Sequence, residues 1–318
     1  MSPALDSRPV ALQLCPFSRH LEEGLASRFE VVRWHALSPA EQLTWLERRA
    51  AEVRAVVSGG HVGCPSALMQ ALPKLGIVSI NGVGVDKVDL AFAKSRGVRV
   101  TTTPDVLTED VADLAVGLVI GLLREIPAGD AYVRAGAWRN GDRPLARKVS
   151  GRRFGIVGLG RIGLAIAKRL APFGPVAYTG PSRKDEFYEY YLDLLSLARA
   201  VDVLVLACPA SEMTHHLVDA QVLEALGPRG YLVNVARGSI VDEAALIEAL
   251  ENEAIAGAAL DVFASEPDVP ARLRESPRVV LTPHMASATM ETRTRMADLV
   301  LENLSAYLRG APLPSQRL

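Results

Sequence analysis

The feature that most restricts this chain is a glycine pattern set between a strand and a helix. Gly158-Leu159-Gly160-Arg161-Ile162-Gly163 follows the short apolar run Phe154 to Val157 directly and opens a helical stretch from Ile162 to Phe173. A strand, a tight turn and a helix in that order are the first half of a βαβ unit in a parallel sheet. In that context each glycine has its own task. The first makes the turn, the second lets the backbone approach a pyrophosphate, and the third lets helix and strand pack closely. The unpaired N–H groups and positive dipole at the helix start complete a phosphate cradle. Residues 158–163, including Leu159, Arg161 and Ile162, are therefore the first candidates for contact with a dinucleotide.

The same alternation continues on both sides of the motif. Val176 to Tyr178, Val203 to Ala207, Tyr231 to Asn234, Ala256 to Leu260 and Val279 to Leu281 are short apolar runs, nearly all separated by helical or loop spacers. Such runs imply a parallel sheet covered on both faces. Upstream, Val10 to Leu14, Val53 to Val57, Ile77 to Ile80 and Val98 to Thr102 read as the strands of a smaller α/β set. Glycine loops, Ser58-Gly59-Gly60 and Asn81-Gly82-Val83-Gly84, follow two of them. Val111 to Leu123 predicts a long helix crossing between domains. Glu291 to Leu308 predicts a closing helix with Met296, Val300, Leu304 and Leu308 on one stripe, able to return to the first set. The expected organisation is a contiguous dinucleotide-binding domain, residues 102–284, inserted into a first domain made of residues 1–101 and completed by 285–318.

Composition removes several classes of function. An apolar share of 49% and a charged share of 22% over 318 residues describe a globular chain with ample core. Thirty-five basic against 36 acidic residues leave a net charge of −1, which offers no footprint for nucleic acid or an anionic membrane. The longest apolar run, Leu114 to Leu123, is ten residues, about half of a bilayer crossing. Cys15, Cys64 and Cys208 are odd in number and far apart, which points to a reducing compartment. Met1 to Arg8 shows no secretory signal, so the expected location is cytoplasmic. No metal site is expected, since there is no C-x-x-C and the adjacent His215 and His216 lack ligand spacing.

The cofactor is read from the loop after the second strand of the large set. An NAD site places a carboxylate about 20 positions after the glycines to bind the ribose hydroxyls. Here the chain runs Thr179-Gly180-Pro181-Ser182-Arg183-Lys184, with no carboxylate before Asp185. The Ser182 hydroxyl, the Arg183 fork and the Lys184 charge suit a 2'-phosphate, which a carboxylate would repel. This predicts NADP (as NADPH), with NAD as the alternative and a solvated basic loop as the bland reading.

Three titratable residues follow strands of the same set: Arg237 after Tyr231 to Asn234, Glu266 in Asp261 to Pro267, and His284 in Leu281-Thr282-Pro283-His284. Singly, each is an ordinary surface or turn residue. Parallel strands bring all three to one edge, where a dinucleotide lies.

Taken together, Gly155 to Gly163, Asn234 to Glu243, Asp261-Val262-Phe263 through Glu266-Pro267, and Thr282-Pro283-His284-Met285-Ala286-Ser287 resemble the signatures of the D-isomer-specific 2-hydroxyacid dehydrogenases. The likeness extends to Val83 through Asp89 and to the approach from Trp138 to Pro144. Within that family the chain is most similar to the NADPH-dependent glyoxylate and hydroxypyruvate reductases. The resemblance implies an α/β fold, a Rossmann-type doubly wound parallel sheet domain inserted into a smaller flavodoxin-like α/β substrate domain. It implies reduction of a small 2-keto acid, with the substrate between the domains. His284 would be proton donor, Glu266 would orient it, and Arg237 would bind the substrate carboxylate and keto oxygen. The backbone of Val83 and Gly84 would complete the carboxylate cradle. Cys208, Pro209, Val235, Ala236, Asp261 and Ser287 would line the cofactor, although several could equally be packing or capping residues. A homodimer is implied as well, with Trp138 either reaching a partner's pocket or serving as a core or interface aromatic.

Two rival readings stay open. One is another dehydrogenase of the family, acting on phosphoglycerate, D-lactate or phosphite. The regulatory domain of many phosphoglycerate enzymes is not expected after the closing helix, and formate dehydrogenases of the fold carry Gln where Glu266 stands. The other is a dinucleotide-sensing corepressor, disfavoured by the lack of a basic surface.

Overall fold

A computed structural model describes residues 8–184 and 187–318. The reading of residues 1–7 as free of a signal, and the Asp185 landmark, lie outside the described residues. The chain forms two compact units, one running up to Leu107 and resuming at Ala288–Leu318, the other spanning Thr108–Ser287.

The first unit holds strands β1 (Val10–Gln13), β2 (Glu30–Arg33), β3 (Val53–Gly59), β4 (Ile77–Asn81) and β5 (Arg99–Thr101). All pair in parallel, in the order β2-β1-β3-β4-β5, which is the flavodoxin-like order. Side chains alternate across the sheet. Leu12, Val56, Val78 and Val100 enter one apolar cluster, while Ala11, Ala55, Val57 and Ile77 enter another. The second cluster is closed by the helix Met290–Leu308 through Ala297, Val300, Leu301 and Leu304. Met296, Val300 and Leu304 are buried as the stripe predicts, but Leu308 is 42% exposed because the last turn runs past the core.

The second unit holds β6 (Phe154–Val157), β7 (Val176–Thr179), β8 (Glu189–Tyr191), β9 (Val203–Leu206), β10 (Tyr231–Asn234), β11 (Gly257–Leu260) and β12 (Val279–Leu281). Their order is β12-β11-β10-β9-β6-β7-β8, again all parallel. Counted from β6, this is the dinucleotide-binding order with a seventh strand added, and the order reverses at β6 and β9. The helix Thr108–Leu123 lies wholly within this unit. Arg169, on the helix Arg161–Leu170, ties it down through Glu109 and Asp113, each at 2.6 Å.

Two strands, β2 and β8, are absent from the sequence reading, and both are sheet edges. An edge strand pairs on one side only and needs no continuous apolar run. β2 reads Glu-Val-Val-Arg with exposed ends and β8 reads Glu-Tyr-Tyr, so neither carries the signal that marks an inner strand.

Candidate active site

The glycine turn is built as its spacing requires. Gly158 has φ of 93°, and a Cβ there would lie 2.7 Å from the Cα of Cys208. At Gly163 a Cβ would stand 2.0 Å from the Gly158 carbonyl oxygen. Both glycines are demanded by the fold itself. Gly160 differs, because nothing lies within 4 Å of a Cβ built on it. It begins the helix Arg161–Leu170 with no side chain capping the free N–H groups. An open approach to uncapped helix N–H groups is the space a pyrophosphate fits. Leu159 and Gly163 are buried, Ile162 is half-buried and Arg161 is exposed.

The neighbouring strand ends supply the rest of the surround. After β7, Ser182, Arg183 and Lys184 are exposed. After β9, Cys208 is half-buried and Pro209 exposed, and burial pushes the Cys208 thiol up to about 11, which keeps it neutral and unreactive. Val235 and Ala236 are buried after β10, and Ser287 is half-buried.

Arg237, Glu266 and His284 follow β10, β11 and β12, three neighbouring strands, so their loops are adjacent at one sheet edge. His284 Nδ1 lies 2.7 Å from Glu266 Oε2, with the two side chains 35% and 27% exposed. The second carboxylate oxygen of Glu266 accepts the Phe263 N–H at 3.0 Å. Burial acts to raise the Glu266 pKa. The His284 bond, the Phe263 N–H and the charges of His284 and Arg237 outweigh it, and the net effect lies below the ordinary 4.5. A carboxylate accepts, so the network assigns the Nδ1 proton to His284 and leaves Nε2 to face a reacting group.

What holds this geometry is a set of residues the motifs alone do not rank. His284 sits at φ of 50°, a left-handed conformation a histidine rarely adopts. Its N–H donates to the Asp261 carbonyl at 2.8 Å. The fully buried Asp261 carboxylate accepts the Thr282 hydroxyl at 2.6 Å and the N–H groups of Met285 and Ala286 at 2.9 and 3.0 Å. Burial leaves the Asp261 pKa raised despite these donors. Asp261 thus directs its carboxylate into the His284 loop. Asn234, also buried, donates from Nδ2 to the Arg237 carbonyl at 2.8 Å and accepts the Ala236 N–H on Oδ1 at 3.0 Å. A Cβ on Gly238 would stand 1.9 Å from the Phe263 carbonyl carbon, so the Arg237 and Glu266 loops touch backbone to backbone. Asn234 lies inside the quoted motif, and its position at a strand end, where Asn forms local turns, is the signal that could have singled it out.

In the first unit, Val83 is 39% exposed and Gly84 half-buried, just after β4. The preceding Gly82 has φ of 157° and accepts the Thr103 N–H at 2.8 Å. In the second unit Trp138 is 63% exposed and donates to Asp142 at 3.1 Å. His215 and His216 stack at 4.0 Å in an exposed turn, and no grouping of His, Cys, Asp and Glu suited to a metal occurs among the described residues. No helix among them is long and apolar enough to cross a membrane.

Residues 116–286 match the family described as D-isomer specific 2-hydroxyacid dehydrogenase, NAD binding domain. A hydroxyphenylpyruvate reductase of Plectranthus scutellarioides is 49% identical over 304 residues, covering 95% of this chain and 96% of that protein. A glyoxylate/hydroxypyruvate reductase of Arabidopsis thaliana shows the same identity and coverage. Among solved structures, an NADPH-dependent glyoxylate/hydroxypyruvate reductase of Sinorhizobium meliloti, in complex with NADP and malonate, superposes with a TM-score of 0.89 at 42% identity. That match covers 98% of this chain and 97% of the other.

Proposed function

The chain belongs to the D-isomer specific 2-hydroxyacid dehydrogenase family, and on that premise we propose that it reduces glyoxylate, hydroxypyruvate or a similar small 2-keto acid with NADPH. The observation that carries this reading is the 2.7 Å His284–Glu266 pair, set in a loop beside that of Arg237 on the glycine-cradle unit. Gly158 to Gly163 would hold the pyrophosphate, Ser182, Arg183 and Lys184 the 2'-phosphate, and Cys208, Pro209, Val235, Ala236, Asp261 and Ser287 would line the remainder. The nicotinamide, when bound, supplies the hydride that reaches the carbonyl carbon.

The chain's own residues do the rest. Arg237 presents a planar fork to the substrate carboxylate and keto oxygen, which fixes the carbonyl and draws charge toward its oxygen. His284 gives its Nε2 proton to that oxygen as the C–H bond forms, leaving a hydroxyl. Glu266 stays ionised and accepts from Nδ1, which fixes the ring and turns Nε2 toward the keto oxygen. The backbone N–H groups of Val83 and Gly84 are assigned to the carboxylate. A homodimer belongs to this reading, supported by Ile126, Val133, Trp138 and Leu145, which leave large apolar side chains exposed. A cytoplasmic setting is supported by three free cysteines.

The test is an assay with NADPH and NADH against glyoxylate, hydroxypyruvate, pyruvate, hydroxyphenylpyruvate and phosphite. Consumption of NADPH with glyoxylate or hydroxypyruvate is expected, and His284→Asn should lower turnover by about a hundredfold or more at an unchanged melting temperature. Turnover near wild type in that variant would remove the assignment.

A further inference from the structure

The loop that carries the proposed phosphate-reading residues is fastened at both ends by tyrosine hydroxyls. Tyr178, on β7, is 1% exposed. Its hydroxyl accepts the Lys184 N–H at 2.6 Å and donates to the Lys184 carbonyl at 3.2 Å. Tyr190, its register partner on β8, donates to the Gly180 carbonyl at 3.0 Å. The two rings meet at 5.2 Å between centroids, tilted by 47°. One tyrosine therefore holds the start of the Gly180–Lys184 segment and the other its end. Ser182 and Arg183 lie between the two anchors.

A buried aromatic at 178 would fill the same space without its hydroxyl, so packing alone does not account for tyrosine there. What the oxygen adds is a pair of bonds to the backbone of one residue in an exposed loop. Fixing such a backbone costs conformational entropy, and a loop held in its binding shape before the ligand arrives avoids that cost on binding. The effect falls on the group this loop meets and leaves the pyrophosphate cradle at Gly158 to Gly163 untouched.

We propose that Tyr178, seconded by Tyr190, is a positioning residue for cofactor choice, holding the Gly180–Lys184 loop in the shape that presents Ser182 and Arg183 to a 2'-phosphate. The proposal rests on the NADPH reading and names the device that makes the preference effective.

The experiment compares Tyr178→Phe, Tyr190→Phe and Arg183→Ala in the full chain. Calorimetric affinities for adenosine 2',5'-bisphosphate and for 5'-AMP are measured beside the KM values for NADPH and NADH. Loss of two neutral hydrogen bonds predicts that Tyr178→Phe binds the bisphosphate about tenfold more weakly. Its affinity for 5'-AMP should change by less than about twofold, and the KM for NADPH should rise relative to that for NADH. Tyr190→Phe, an edge-strand change that keeps the buried ring at 178, should shift the same ratio in the same direction and serves if Tyr178→Phe folds poorly. Equal weakening of both ligands would mean general damage and overturn the proposal. So would an unchanged ratio of KM for NADPH to KM for NADH in both tyrosine variants while Arg183→Ala raises it, which would leave the NADPH reading standing. If Arg183→Ala also leaves the ratio unchanged, that reading fails and the tyrosine anchors lose their role with it.

Discussion

Glu266 is the residue whose charge most directly conditions the chemistry. Its folded pKa lies below the ordinary 4.5, because His284, the Phe263 N–H and the Arg237 charge together outweigh its burial. A lowered carboxylate pKa stabilises the fold above the ordinary value, and that contribution fades as pH falls through the folded value. Glu266→Gln removes it. The stability gap between wild type and variant should therefore be widest near pH 7 and close progressively below 4.5, as urea unfolding at several pH values would record. Turnover in the variant should drop at least about tenfold, since a neutral amide holds an imidazolium less well. A gap independent of pH would show that Glu266 is not ionised in the fold. At this scale the placement of Arg237, Glu266 and His284 at one sheet edge was legible beforehand, because each follows an apolar run. Asn234 was not singled out and Asp261 was read only as a cofactor-lining or capping residue, since their partners, backbone groups and the Thr282 hydroxyl, are brought close only by the finished loops.

Strand position explains which elements could be read. Inner strands such as β6, β9 and β10 are buried at every residue and announce themselves as apolar runs. Edge strands β2 and β8 carry charges and tyrosines, and with β8 unread the partner of Tyr178 was out of sight. The meeting of loops is equally an element-scale property. Gly238 joins the β10 loop to the β11 loop with no room for a side chain, since a Cβ would stand 1.9 Å from Phe263. Gly238→Ala must separate the two loops. We expect a loss of about 1–3 kcal/mol in stability from overpacking and a larger proportional loss of turnover, because Arg237 and Glu266 move apart. Unfolding curves and steady-state rates would check both, and full activity would show that the loops tolerate displacement.

At the scale of the whole molecule, two α/β units share one chain, and the first is assembled from segments far apart in sequence. Its closure runs through Asn303, buried on the helix Met290–Leu308. Asn303 donates to Leu299 and Ser315, each at 2.7 Å, and accepts the Ser315 N–H at 3.1 Å, while the Ser315 hydroxyl reaches the Thr102 carbonyl at 2.6 Å. Asn303→Ala should cost about 2 kcal/mol, the scale of buried groups left unpaired. A thermal scan would show it as a lowered transition, and an unchanged melting temperature would mean the network is dispensable. The apolar stripe of the last helix was legible in the sequence, whereas this polar network joins residues 213 positions apart and left no local pattern.

That assembly also sets a timetable. Val100 exchanges backbone hydrogen bonds with Arg317 and Leu318, so β5 gains its last neighbour only when those residues have been synthesised. Residues 108–287 are complete as a unit well before then. A nascent chain normally matures from its N-terminus onward. Here the portion made first must wait longest for its last pieces, since Leu21 and Leu25 cover only part of that sheet face until Val300 and Leu304 arrive.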